Sequence, residues 1–187
     1  MNIANKLTLS RVVMIPIFIL LMIFEFGSLS FNQQIIPVSQ FLAGIVFIVA
    51  SVTDYLDGYL ARKLNLVTSF GAFFDPMADK MLVIAAFILL IDKGVVPSWA
   101  VFIIIARELM VTGLRVLLAT HDGKVMSAAL PGKIKTFTQM FAIVFFLFNN
   151  FGLTLDIASI CFYICLFFTV YSGVDYFWNA RFLFKEL

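Results

Sequence analysis

Four aspartates, Asp54, Asp57, Asp75 and Asp79, stand close together in a chain that is otherwise strongly apolar. On a helix, at 100° per residue, positions 54, 57, 58 and 61 are related as i, i+3, i+4 and i+7 and share one stripe. That stripe reads Asp, Asp, Gly, Ala, and positions 71, 75, 78 and 79 repeat the theme as Gly, Asp, Ala, Asp. Each stripe sets two carboxylates among residues with little or no side chain. Small residues let a bulky ligand or another backbone approach the helix axis. Four facing carboxylates repel unless they are protonated or bind cations. All-oxygen ligation selects hard ions such as Mg²⁺, Mn²⁺ or Ca²⁺, and paired divalent ions are a recurring device of phosphoryl chemistry. Arg62, one turn beyond Gly58, is placed to meet a phosphate. The competing reading is a set of structural ion pairs, Asp57 with Arg62 and Asp79 with Lys80 or Arg107. Four acids on two small-residue stripes favour ligation.

The elements that must hold these acids are membrane helices. Of 187 residues, 63% are hydrophobic and only 13% charged, and the mean hydropathy is +1.06. Soluble domains are about 45–50% apolar and roughly 25% charged, so a water-soluble enzyme is excluded and an integral membrane protein is expected. A span needs about 20 mainly apolar residues. The candidates are 12–26, 39–61, 71–91, 97–118, 134–151 and 156–178. The expected architecture is therefore all-α: six transmembrane helices behind a short interfacial helix over residues 1–11, in one membrane-embedded catalytic domain, 1–187. Lys6 and Arg11 before the first apolar run resemble the start of a signal peptide, but no small-residue cleavage pattern follows, so a retained helix is expected.

Charge placement orients the spans. With both termini inside, nine basic residues fall on the cytoplasmic side: Lys6, Arg11, Arg62, Lys63, Lys124, Lys133, Lys135, Arg181 and Lys185. Lys93 alone falls outside, which is a clear positive-inside asymmetry. Both acid stripes then lie toward the cytoplasmic ends of neighbouring antiparallel spans, joined by a short basic loop. Cys161 and Cys165 read as small buried hydrophobes rather than a zinc site, for which His121, the only histidine, is remote. No nucleic-acid partner is expected.

As they stand, the residues read D54-x2-D57-G58-x2-A61-R62-x8-G71-x3-D75-x3-D79. This resembles the signature of the CDP-alcohol phosphatidyltransferases at every specified position. The stretches NIANKLTLSR (2–11), ARELMVTGLR (106–115) and PGKIKT (131–136) are similar to the bacterial branch that makes phosphatidylglycerophosphate. One departure is Ala4, where that branch leads one to expect proline. The resemblance implies the CDP-alcohol phosphotransferase fold and transfer of the phosphatidyl group of CDP-diacylglycerol to sn-glycerol 3-phosphate, releasing CMP. It also implies two divalent cations, Mg²⁺ or Mn²⁺, a homodimer, and a bacterial cytoplasmic membrane with the site facing the cytoplasm. Carried onto this chain, Asp54, Asp57, Asp75 and Asp79 would hold metal. Asp75 and Asp79 would be catalytic, with Asp79 as general base. Asp57, Gly58, Ala61, Arg62 and Gly71 would receive the CDP-diacylglycerol.

An acceptor bringing about two negative charges needs cations. Arg107 and Arg115 lie eight apart, about 80° around a helix, and Lys133 and Lys135 begin the next span. These four are the expected phosphate-recognition group. The alternatives are that Arg107 pairs with Glu108 or a motif aspartate, and that Lys133 and Lys135 anchor to lipid phosphates. Asn5, Thr8 and Arg11 are candidate headgroup contacts, and Lys80 is expected to neutralise a buried acid such as Glu108. The signature leaves open a sister enzyme using inositol phosphate, serine or phosphatidylglycerol. Intramembrane acids also occur in cation transporters, but those favour midplane sites on broken helices, often with inverted repeats. Here the acids gather toward one face.

Overall fold

The computed structural model describes the backbone of residues 3–31, 34–64, 69–120, 130–179 and 181; side chains at 3–9, 11, 31, 54–64, 69–79, 115–120 and 179 are outside the description. The elements run α1 (Ile3–Ile23), β1 (Ser28–Phe31), β2 (Gln34–Pro37), α2 (Val38–Leu64), α3 (Ser69–Asp92), α4 (Ser98–Thr120), α5 (Leu130–Leu147), a 3₁₀ turn (Asn149–Gly152) and α6 (Ile157–Asn179). The mostly helical expectation holds. Two differences lie in the N-terminal part. The described part of the expected 1–11 segment, from Ile3, and the first span merge into the single helix α1, which continues through Pro16. The loop after it folds as a two-stranded antiparallel hairpin pairing Ser28 with Pro37 and Phe31 with Gln34.

The chain divides into two compact units, Met1–Val95 with Val144–Leu155, and Val96–Ile143 with Asp156–Leu187. In the first, α1 packs against both α2 and α3. The buried positions follow helical spacing: Ile15, Phe18 and Met22 on α1, Ala43, Phe47 and Ala50 on α2, and Leu82, Ala86 and Leu90 on α3. Phe18 and Phe47 meet at 6.0 Å between ring centres. Gly44 lets the Phe148 ring lie against α2, since a Cβ there would stand 2.6 Å from ring carbons. Phe148 in turn stacks on Phe151 at 5.0 Å and meets the edge of Phe41 at 5.3 Å. Gln40 ties α2 to the same segment by donating to the Leu147 carbonyl at 2.9 Å and to Asn149 Oδ1 at 3.3 Å.

Helix ends have local causes. Gly94 (φ +71°) closes α3: its N–H donates to the Ile91 carbonyl and that of Val95 reaches Leu90, the pattern of a Schellman cap. Asp156 caps α6, accepting from the Ser159 N–H at 3.1 Å. α5 starts and stops about one turn earlier than the 134–151 expectation. Pro131 fits its first turn, where a missing N–H costs nothing. The left-handed run Asn149, Asn150, Phe151 and Gly152 (φ 47°, 54°, 52°, 70°) cannot continue a right-handed helix.

In the second unit α4 packs on α6. The buried stripe of α4 is Ala100, Ile104, Arg107, Val111 and Leu114, and that of α6 is Ala158, Phe162, Cys165, Thr169, Ser172 and Tyr176. Polar groups thus occupy core positions, while large apolar side chains face outward: Phe102 is 71% exposed, Phe167 64% and Phe137 62%. This inverts the pattern of a water-soluble helix and is what lipid contact demands. Among the described residues one stretch, Ile157–Trp178, is long and apolar enough to cross a membrane, and Val12–Ile23 and Val38–Thr53 are shorter apolar helices.

Candidate active site

Both acidic stripes lie on continuous helix. Asp54, Asp57, Gly58, Ala61 and Arg62 belong to α2, and Gly71, Asp75 and Asp79 to α3. The helical premise behind the i, i+3, i+4, i+7 relation is therefore met. The side chains of these eight residues, and those of Asn5, Thr8, Arg11 and Arg115, lie outside the described residues. As a donor set, four carboxylates offer only oxygen, which suits hard divalent cations.

The second unit resolves two of the expected cations in detail. Arg107 is 9% exposed and Lys135 3%. Both converge on one oxygen, Glu108 Oε1: the Lys135 ammonium donates to it directly, and Arg107 Nη1 lies 3.5 Å from it. Arg107 Nη2 donates to Ser172 Oγ at 2.8 Å, and the guanidinium lies 5.9 Å from the Tyr176 ring centre, within cation–π range. Ser172 passes the network on by donating to the Thr169 carbonyl at 3.2 Å. Space for the Arg107 stem comes from Gly173, where a Cβ would sit 3.3 Å from Arg107 Cγ. Three helices therefore hold one arginine: α4 carries it, α5 sends Lys135 to the shared carboxylate, and α6 supplies a hydroxyl, a ring and a gap. Lys133 is exposed on the first turn of α5.

Arg107 pairing with Glu108, set out above as the alternative to a phosphate role, is present. Glu108, expected as a partner for Lys80, meets Lys135 and Arg107. What sequence reasoning missed is α6. The sequence analysis singles out neither Ser172 nor Tyr176 within the apolar stretch 156–178. Their spacing of four, with Gly173 beside Ser172, was the available signal that a side chain from another helix docks there.

Arg107 also borders an apolar groove of about 680 Å³ between α4 and α6, lined by Phe102, Met110, Val174 and Phe177 and ending at Trp178 and Arg181. The Arg181 guanidinium lies 5.2 Å from the Trp178 ring centre. In the first unit, a cavity of about 530 Å³ is bordered by Gln40, Asp92, Asn149 and the ion pair of Lys93 with Glu25, whose N–O distance is 2.6 Å.

Residues 1–171 match the family model described as CDP-alcohol phosphatidyltransferase. A Bacillus subtilis (strain 168) protein named CDP-diacylglycerol–glycerol-3-phosphate 3-phosphatidyltransferase is 46% identical over 187 residues, covering 96% of each chain. A Rickettsia typhi protein of the same name is 41% identical over 180 residues, covering 94% of this chain and 95% of its own. Another from Wigglesworthia glossinidia brevipalpis is 35% identical over 193 residues, covering 100% of this chain and 99% of its own.

Proposed function

We propose, from the premise that the chain belongs to the CDP-alcohol phosphatidyltransferase family, that it transfers the phosphatidyl group of CDP-diacylglycerol to sn-glycerol 3-phosphate. The products are phosphatidylglycerophosphate and CMP, on the route to phosphatidylglycerol. The observation that carries this reading is the near full-length similarity to relatives bearing that name, at 41–46% identity. The intact D54-x2-D57-G58-x2-A61-R62-x8-G71-x3-D75-x3-D79 pattern supports it.

The residues take these roles. Asp54, Asp57, Asp75 and Asp79 hold two divalent cations, Mg²⁺ or Mn²⁺. When bound, these supply the positive charge that a diphosphate donor and a CMP leaving group require. Gly58, Ala61 and Gly71 leave room for the nucleotide, with Asp57 beside it, and Arg62 binds its phosphate. Asp79 accepts the proton of the acceptor hydroxyl as that oxygen attacks the β-phosphorus. The new bond joins the acceptor oxygen to phosphorus, and the bond to CMP breaks with its electron pair. Arg107, Arg115, Lys133 and Lys135 recognise the acceptor's phosphate, and Asn5, Thr8 and Arg11 border the headgroup.

The chain spans the bacterial cytoplasmic membrane six times as a homodimer, with both termini and the catalytic residues on the cytoplasmic side. The apolar outward faces of α4, α5 and α6 support a lipid surrounding. Purified protein with CDP-diacylglycerol, Mg²⁺ and a panel of acceptors, scored by CMP release, tests the proposal. Release must require glycerol 3-phosphate; equal or faster release with inositol phosphate, serine or phosphatidylglycerol would replace it with a sister activity.

A further inference from the structure

The arrangement around Glu108 goes beyond the assignment of cations to the acceptor. Arg107 and Lys135 come from different helices, and both lie in the buried stripe of their helix. Two like charges brought together away from water repel, and an anion between them relieves that repulsion. Glu108 supplies that anion, and both cations address the same oxygen atom, Oε1. A carboxylate bridging an ammonium and a guanidinium through one oxygen makes the contact that a phosphate oxygen makes with the same pair. Ser172 fixes the far side of the guanidinium, and Gly173 admits its stem.

We infer that Glu108 is a positioning residue for the acceptor. It bridges Arg107 and Lys135 into a pre-assembled cation pair, with Ser172 as the second clamp, so that a phosphomonoester meets two cations already held side by side. The inference rests on the reading that these two residues recognise the acceptor's phosphate. It adds that the pair works only while the carboxylate holds it, because an unbridged pair separates and must be reassembled by the incoming substrate.

The alternative has the opposite sign. If Glu108 merely occupied the cations, its removal would free them and tighten the acceptor. The test is steady-state kinetics of the purified full chain, with wild type, Glu108→Gln, Glu108→Asp, Ser172→Ala, Arg107→Ala and Lys135→Ala, titrating sn-glycerol 3-phosphate and CDP-diacylglycerol separately. Glu108→Gln should raise the KM for glycerol 3-phosphate about tenfold, the scale of one lost charge-assisted contact. The KM for CDP-diacylglycerol should not move, and Glu108→Asp should recover most of the loss. Ser172→Ala keeps all charges and should give a smaller rise in the same KM, so the inference stays testable if Glu108→Gln does not fold. An unchanged or lowered acceptor KM in Glu108→Gln, with a raised one in Arg107→Ala and Lys135→Ala, overturns the positioning role and leaves the phosphate assignment standing. An unchanged acceptor KM in Arg107→Ala and Lys135→Ala overturns that assignment, and the positioning role with it.

Discussion

Gly44 and Gly113 offer a paired test of the packing that holds α2 in place. A Cβ at Gly44 would lie 2.6 Å from two carbons of the Phe148 ring. Carbon atoms rest at about 3.5 Å, so the ring or the helix must yield by roughly 1 Å. The ring has no easy retreat. It is stacked on Phe151, edge-on to Phe41, and its neighbours Leu147 and Asn149 are held by Gln40. Overpacking of this kind costs about 1–3 kcal/mol, and disturbing one aromatic pair adds about 0.5–1.5 kcal/mol. Against this, alanine gains up to about 1 kcal/mol over glycine in a helix. At the middle of these ranges the net for Gly44→Ala is a loss of about 2 kcal/mol. For a chain of this length, that lowers the unfolding midpoint by roughly 4–8 °C. A Cβ at Gly113 of α4 meets nothing within 4 Å. Propensity then acts alone, and Gly113→Ala should leave the midpoint unchanged or raise it by roughly 2 °C. The assay is thermal unfolding of detergent-solubilised protein followed by circular dichroism. A Gly44→Ala midpoint equal to or above wild type, or a fall of the same size in both variants, would refute the packing argument.

Other consequences are as specific. Asp79→Asn should lower kcat by roughly 10²–10⁴-fold with little change in unfolding temperature, as removal of a general base does; a kcat within tenfold of wild type removes Asp79 from that role. Chelation with EDTA should abolish CMP release and added Mg²⁺ or Mn²⁺ should restore it, whereas full activity in chelator contradicts the carboxylate-metal reading. The Lys93 ammonium, hydrogen-bonded to Glu25 beyond the end of α1, holds that carboxyl below its ordinary value. A carboxyl so depressed contributes stability that is complete above its ordinary value and is lost as pH falls through the lowered one. Lys93→Met should therefore cost a little stability at neutral pH and nothing in strong acid. A deficit that persists unchanged into acid argues against the pair.

Much of this was legible in the sequence because helical spacing and charge cost are local rules. Asp54, Asp57, Gly58 and Ala61 announce one stripe by spacing alone, and α2 runs unbroken through them. The mostly helical character follows from the apolar runs. Less legible were features that depend on a partner element. The paired strands Ser28–Phe31 and Gln34–Pro37 are too short to show a period. The end of α5 is set by three consecutive non-glycine left-handed residues, Asn149, Asn150 and Phe151, a conformation no propensity favours for phenylalanine. The sequence offered Glu108 as one of two alternatives for pairing with Arg107, beside a motif aspartate. That Lys135, 27 positions away, shares the same oxygen could not be read from it. Nor could the docking of Ser172, which needs the packing of α4 on α6.

The most direct test of the central claim is incorporation of labelled sn-glycerol 3-phosphate into extractable lipid by the purified chain, measured beside CMP release from CDP-diacylglycerol in the same reaction. The account predicts label in phosphatidylglycerophosphate, one CMP for each lipid formed, and no label without CDP-diacylglycerol. CMP released without labelled lipid, or labelled lipid formed without CMP, would contradict it.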